Sequence, residues 1–310
     1  MIDVRRLTVL REVSRHGSFN RAATALRLTP SAVSQQISAL ERTVGTPVVR
    51  RSTRGVELTE AGRVLAETSD AITAELAYAQ GLIDRLAAGV REKLTVATFT
   101  SGGQRLLPAA LTRFTAERPG VELTVLENET EDSLPLVRSG DADVAIAYHF
   151  DGPPPVQPGD RSGLVWTPLL ADPMWIVLPA GHPMAARESV AIADLAAERW
   201  VHGCLQIDEI LGYYTALAGY EPQVACRGTD YVFAQSLVRA GVGISMIPQI
   251  ALTGDQGGLV MMPLEPPGPS RFVGMVTAAR SRPNPLAAAL IRALQDTVAA
   301  LPVPAAQSAG

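Results

Sequence analysis

The chain has 310 residues, with 27 basic and 31 acidic side chains and a formal net charge of −4. That length admits two or three domains, and two cysteines are too few for a disulfide framework. No run of about 18 residues is apolar enough to span a bilayer, and the N-terminus lacks an apolar leader, so a secreted scaffold and a membrane protein are set aside and a soluble, cytoplasmic chain is expected.

The charge is unevenly spread. Through Leu58, ten arginines stand against four acids, a surplus of six, which leaves −10 for the remaining residues. A basic head on an acidic body is the asymmetry of a DNA-binding domain joined to something else. Residues 4–14 place Val4, Leu7, Leu10 and Val13 on one helical face, ending at His16-Gly17. Gly17 to Leu40 then reads as two helices around a sharp turn at Arg27-Leu28. Asn20 is expected to cap the first, which turns Ala22, Ala23 and Leu26 inward. Thr29 caps the second, with Pro30 at its first position. Val33, Ile37 and Leu40 recur at i, i+4 and i+7 and face the core. Ser31, Ser34, Gln35 and Ser38 lie on the other face, short uncharged groups suited to base edges in a major groove. This is a helix-turn-helix. Residues 47–58 follow as two short strands around a polar turn, a wing that brings Arg50, Arg51 and Arg54 toward phosphates or the minor groove.

From Leu58 through Ala61, Leu65, Thr68, Ile72, Leu76, Ala79, Ile83 and Leu86, apolar and small residues step by three or four. The spacing predicts one long helix, stopped near Gly89, with a seam suited to pairing with a second copy. A single helix-turn-helix reads only a half-site, so a homo-oligomer is expected. From Lys93 strands alternate with helices. Leu94 to Phe99 is a strand, Thr100 to Gly103 a loop, and Gln104 to Glu117 a helix. Val121 to Leu126 is a strand, residues 132–139 a helix, and Ala142 to Tyr148 a strand, the βαβαβ pattern of an α/β parallel sheet. A Pro/Gly-rich loop (Gly152 to Gly163) leads to a second series. Strands are expected at Met174 to Leu178, Trp200 to His202, Pro222 to Cys226, Gly241 to Pro248 and Phe272 to Thr277. Helices are expected at Ile192 to Ala197, Asp208 to Ala218, Tyr231 to Ala240 and Pro285 to Leu301. Leu264 to Pro269 reads as a stiff crossover and 302–310 as a disordered tail.

In this order the motifs resemble the LysR-type transcriptional regulators. The matching residues begin with Ala22-Ala23, Ser31-Ala-Val-Ser-Gln-Gln-Ile37, Leu40-Glu41, Gly45-Thr-Pro47, Arg51, Arg54 and Leu58-Thr-Glu-Ala-Gly62. They continue with Leu107-Pro108, Phe114, Pro119, Gly140-Asp-Ala-Asp143, Leu178-Pro179, His182-Pro183 and Gly241 to Pro248. Together they cover about residues 3 to 300. Pro30-Ser31 replaces a frequent Gln-Pro pair, and Val49 a usual Phe. The resemblance implies an N-terminal winged helix-turn-helix (1–58) and a dimerising linker helix (59–89). It further implies an α/β effector module of two subdomains (90–168 with 268–301, and 169–267), like periplasmic binding proteins. It also implies dimers or tetramers on double-stranded promoter DNA, communication with RNA polymerase, and a small effector in the interdomain cleft.

Ligands of such sheets bind beyond the carboxyl ends of strands. Thr100 and Ser101 sit between a strand and a helix start, where free N–H groups favour an anion. The resemblance adds Ser101, Thr130, Tyr148, His149, His202 and Gly203 as cleft positions, and Thr229 stands at another strand end. His149 and His202 are candidate cationic partners for a carboxylated effector, or pH-sensitive groups. Cys204 lies beside the same cleft, and some relatives carry a peroxide-sensing pair, so a thiol switch through Cys204 and Cys226 is an alternative. The four histidines show no metal spacing, no cofactor is implied, and no nucleophile elbow or phosphate loop appears. An enzyme is therefore not expected. A solute-binding transport protein is opposed by the basic head and the missing leader.

Overall fold

The computed structural model describes residues 2–52, 55–88, 92–150, 163–204, 206–252, 257–279 and 283–301. Arg54, Gly89, nearly all of the 152–163 loop and the tail 302–310 lie outside them. The head begins with α1 (Val4–His16), α2 (Phe19–Leu26) and α3 (Pro30–Val44). Ser18, not Asn20, stands at the N-cap position of α2, so that helix starts one turn-fraction earlier than its side chains suggest. Arg27 takes a left-handed φ of 54° and makes the sharp turn. The Thr29 hydroxyl accepts from the Ala32 amide at 3.2 Å and starts α3 as expected. Leu7, Leu10, Val13, Ala22, Ala23, Val33, Ile37, Leu40 and Val48 form one buried core, and the two alanines let the helices cross closely.

The wing is β1 (Val49–Ser52) against β2 (Gly55–Leu58), antiparallel, with Val49 opposite Leu58 and Ser52 opposite Gly55. It leads into α4 (Glu60–Ala88). The expected single seam on α4 divides. Leu58, Leu65 and Ile72 pack on the head core, and Arg11 of α1 reaches Thr73 Oγ1 at 3.3 Å. Farther along, where α4 has run past α1, Leu76 and Ile83 are 61% and 57% exposed.

The α/β module opens with β3 (Lys93–Thr98), α5 (Thr100–Arg105), α6 (Leu107–Glu117), β4 (Glu122–Glu127), α7 (Thr130–Ser139) and β5 (Val144–His149). Thr100 to Gly103, expected as a loop, is thus helical. β3 pairs in parallel with both β4 and β5. β6 (Leu164–Pro179) is far longer than the Met174 to Leu178 strand expected. A turn of 3-10 helix at Ile192–Leu195 follows. Then come β7 (Arg199–His202), α8 (Ile207–Leu217), β8 (Gln223–Arg227), α9 (Tyr231–Arg239), β9 (Ser245–Pro248), β10 (Leu259–Pro263), β11 (Ser270–Ala278) and α10 (Pro285–Ala299). β9 is shorter than the strand expected from Gly241, whose φ of 76° puts it in a turn, and β10 was not anticipated.

The sheet runs β10-β6-β11-β5-β3-β4, with β9 also on β6. The first half of β6 pairs with β11, and the second half with β9 and β10. β6 therefore carries the chain out of a first lobe and β11 brings it back. One core gathers Leu94, Phe99, Phe114, Val144, Ile146, Met275 and Leu290. A second gathers Met174, Ile176, Leu195, Trp200, Leu211 and Ile244.

The wing–linker junction depends on one close approach. A Cβ on Gly62 would lie 2.0 Å from the Val48 carbonyl oxygen, a backbone atom that has no room to give. Gly62→Ala is expected to destabilise the head by about 1–3 kcal/mol through overpacking. Chemical denaturation of the full chain reads this directly, and an unchanged midpoint would contradict it.

Candidate functional site

Two surfaces carry the expected functional residues. On the head, α3 presents Ser31 and Gln35 to solvent, while Ser34 and Ser38 are half-buried. The Ser31 hydroxyl lies 3.0 Å from that of Thr29, within the first turn. Arg50 is exposed on β1, and Arg51 follows it on the same strand. Arg54 is outside the described residues. Gln36, exposed next to Gln35, was not among the expected readers.

The second surface is a cavity between the lobes, lined by Phe99, Thr100, Ser101, Gln104, Glu129, Tyr148, Gly203, Cys204, Thr229, Asp230, Tyr231, Val232, Ala251 and Arg271. Five expected effector positions meet there: Thr100, Ser101, Tyr148, Gly203 and Thr229. Three do not. Thr130 Oγ1 instead accepts from the Tyr148 amide at 3.1 Å and ties α7 to β5. His149 follows Tyr148 on the same strand, so its side chain points to the other face. Its ring stacks on Phe272 at 5.4 Å and meets Trp166 edge-on at 5.1 Å. His202 is 3% exposed, with Nδ1 2.9 Å from Asp208 Oδ1. Burial lowers its pKa below 6.5 despite the raising influence of Asp208, so near neutral pH it is not the expected cation.

The group the sequence did not reveal is Arg271. Its Nε and Nη2 reach Asp172 Oδ2 at 3.1 and 2.6 Å, and Nη2 also reaches the Ser101 hydroxyl at 3.1 Å. Its guanidinium carbon lies 5.0 Å from the Phe99 ring centre and 4.8 Å from that of Tyr148. Burial opposes the charge, but Asp172 chiefly holds the guanidinium above its ordinary pKa. The positive charge is neutralised within the protein. The Ser101 hydroxyl accepts from Arg271 at the cavity wall.

Across the cavity, Tyr148 Oη lies 3.0 Å from Glu129 Oε2, 3.0 Å from Gln206 Oε1 and 3.9 Å from Cys204 Sγ. Cys204 Sγ donates to Gln206 Oε1 at 2.6 Å, and Gln206 Nε2 donates to Glu131 at 3.0 Å. Burial raises the Glu129 carboxyl above 4.5. Burial also keeps Tyr148 and Tyr231 as neutral phenols, well above 10. A Cβ on Gly203 would fall 2.5 Å from Tyr231 Cδ1, which accounts for glycine there. The space inside is about 20 Å³, little more than the roughly 10–15 Å³ that one water requires. Cys226 does not line it and packs with Val177, Val201, Ala234 and Val238. Both thiols are free.

A larger cavity of about 520 Å³ lies on the first lobe between β11 and α10. Its one carboxylate, Asp143, is already engaged by Thr95 N and Asn284 Nδ2, both at 2.9 Å. Among the described residues, no three His, Cys, Asp or Glu side chains are grouped to hold a metal ion, and no helix is long and apolar enough to cross a membrane.

The buried pair sets a stability prediction. Asp172→Ala leaves Arg271 charged and unpaired in the interior, and is expected to cost about 3–5 kcal/mol. Equilibrium denaturation measures it, and a loss of less than about 1 kcal/mol would contradict the role given to the pair.

Comparison with known proteins matches residues 4–63 to the bacterial regulatory helix-turn-helix proteins of the lysR family and residues 87–299 to the LysR substrate binding domain. The chain is 32% identical over 284 residues to the "Probable hydrogen peroxide-inducible genes activator" of Mycobacterium avium, covering 87% of this chain and 86% of that one. It is 28% identical over 305 residues to the DNA-binding transcriptional dual regulator OxyR of Escherichia coli K12, covering 95% and 96%. A hydrogen peroxide-bound mutant of Corynebacterium glutamicum OxyR superposes with a TM-score of 0.54 at 25% identity, over 96% of this chain and 94% of that one. The helical winged head, the α/β module and these matches lead to one conclusion: the chain belongs to the LysR family of DNA-binding transcriptional regulators.

Proposed function

We propose that this regulator is a peroxide sensor: its effector is hydrogen peroxide, and the effector acts by oxidising Cys204. One observation carries the reading, the Cys204 thiol on a cavity of about 20 Å³ between the lobes. A solute of two heavy atoms suits that space, whereas a carboxylated metabolite of several carbons does not. The lining argues the same way, because Arg271 is already neutralised by Asp172 and an incoming anion would face Glu129. The names of the relatives, which refer to hydrogen peroxide, support the same chemistry. The thiol and peroxide give a sulfenic acid and water, the first and reversible rung of cysteine oxidation. Cys226 has no part in it, so the switch uses one cysteine and not the pair.

On DNA, Ser31, Ser34, Gln35 and Ser38 take the groove, and Arg50, Arg51 and Arg54 the backbone or minor groove. Two copies join along α4, whose exposed Leu76 and Ile83 supply the apolar surface. The domain partition in this reading is head 1–58, linker 59–89, and two effector lobes (90–168 with 268–301, and 169–267) joined by the crossovers. Contact with RNA polymerase belongs to the same reading as the means of regulation.

Fluorescence anisotropy of the full-length chain on its own upstream DNA tests this. Gln35→Ala is expected to lose about 1–3 kcal/mol of discrimination at one base pair, and Arg50→Ala to reduce the salt slope by about one phosphate contact. Stoichiometric peroxide is expected to change the affinity of the wild type and leave Cys204→Ser unchanged. An equal response in Cys204→Ser, or a response to carboxylic acids and none to peroxide, would overturn the sensor reading.

A further inference from the structure

We propose that Tyr148 and Glu129 form a proton relay for the oxidation of Cys204, Tyr148 acting at the sulfur and Glu129 acting through Tyr148. The relay rests on the peroxide reading above. Its basis is geometry. Tyr148 Oη is within hydrogen-bonding reach of both the sulfur, at 3.9 Å, and Glu129 Oε2, at 3.0 Å. The phenol has one proton and two acceptors at 3.0 Å, Glu129 and Gln206. A carboxylate accepts more strongly than an amide oxygen. The proton therefore goes to Glu129, and the phenol's lone pairs are left turned toward the thiol.

A thiol reacts with peroxide as the thiolate. Cys204, whose thiol proton rests on Gln206 Oε1 at 2.6 Å, turns its S–H about the Cβ–S bond to Tyr148 Oη and passes the proton there as Tyr148 passes its own to the Glu129 carboxylate. The phenol is never ionised, consistent with its burial. The thiolate sulfur then attacks one peroxide oxygen: the S–O bond forms, the O–O bond breaks, and the sulfur gives up two electrons. The departing hydroxide takes a proton from Tyr148, which recovers its own from Glu129. The sum is thiol plus hydrogen peroxide to sulfenic acid plus water, with Glu129 and Tyr148 restored.

The groups around Glu129 make its carboxylate a stronger proton acceptor than an exposed one. Burial raises its carboxyl, the Tyr148 hydrogen bond opposes this, Glu131 and Glu127 raise it further, and Arg271 lowers it. On the far side of the thiol stands Tyr231, neutral throughout.

The relay changes how the rate depends on pH. With an internal base, deprotonation does not wait on hydroxide. Without one, the rate follows the solvent-made thiolate. Oxidation of Cys204 in the reduced full-length chain is followed by dimedone trapping and intact mass from about pH 6 to about pH 8.5. The wild type is expected to stay level, within about threefold, across this range. Glu129→Gln is expected to be about 100-fold slower at neutral pH, with a rate that rises with pH. Tyr148→Phe, which keeps the ring and removes the hydroxyl, is expected to show the same slope and serves if Glu129→Gln is unstable. Parallel profiles in wild type and variants, with Cys204 still oxidised, would overturn the relay alone. No adduct on wild-type Cys204 at any pH would overturn the peroxide reading and the relay with it.

Discussion

The effector module is organised around one buried ion pair. Asp172 and Arg271 face each other on adjacent antiparallel strands, the two that cross between the lobes. An ionised guanidinium in the interior costs several kcal/mol in lost hydration and is tolerated only when its donors are matched. Here they are matched by elements from several parts of the chain. Asp172 on β6 takes two hydrogen bonds, Ser101 on α5 takes a third, and the rings of Phe99 and Tyr148 lie against the cation. The other oxygen of Asp172 holds the Ile250 amide at 3.0 Å, just beyond β9. The pair thereby fixes the crossovers, the helix start at Thr100 and the turn after β9 in one arrangement. Removing either partner leaves the other charged and dry.

That arrangement decides what the cleft accepts. Because the cation is paired inside the protein, the cavity offers neutral hydrogen-bonding groups, the carboxyls of Glu129 and Asp230, and a thiol. A charged metabolite would need a counter-charge that the paired Arg271 does not leave free. A small neutral oxidant needs no counter-charge, and on the proposed reading its recognition is chemical: the sulfur loses a proton and the peroxide gains one. The hydrogen bonds that join Gln206 to Glu131 across the cleft also run through Cys204. Oxidation replaces the S–H that donates to Gln206, so the hydrogen bond at the end of this link changes with it.

The head was legible in the sequence because its signals are local. Thr29, Pro30 and the Val33, Ile37, Leu40 spacing act within a few residues, and the structure repeats them. The exception, Asn20, arose because Ser18 sits at the cap position without a side-chain bond, leaving a fair capping residue inside the helix. The crossovers were harder. Only Met174 to Leu178 was expected as a strand, yet β6 runs through Pro168 and Pro173: Pro168 lies where the ladder shifts between Val273 and Gly274, and Pro173 at the ladder's end. Adjacent residues Tyr148 and His149 were both assigned to the cleft, although strand alternation admits only one. Arg271 gave one usable signal, a lone charge in an otherwise apolar strand. Its partner is 99 residues away, and nothing local names it. Glu129 lay hidden in an acid-rich run, from Glu127 to Asp132, that reads as a solvated surface.

The central claim is that the effector signals by covalent change at Cys204 and not by occupancy. The direct measurement is operator affinity of the full-length chain after brief exposure to peroxide and removal of the peroxide by desalting. The altered affinity is expected to persist through desalting and to return to its starting value only when a dithiol reductant is added. Recovery on desalting alone, with no reductant, would contradict it.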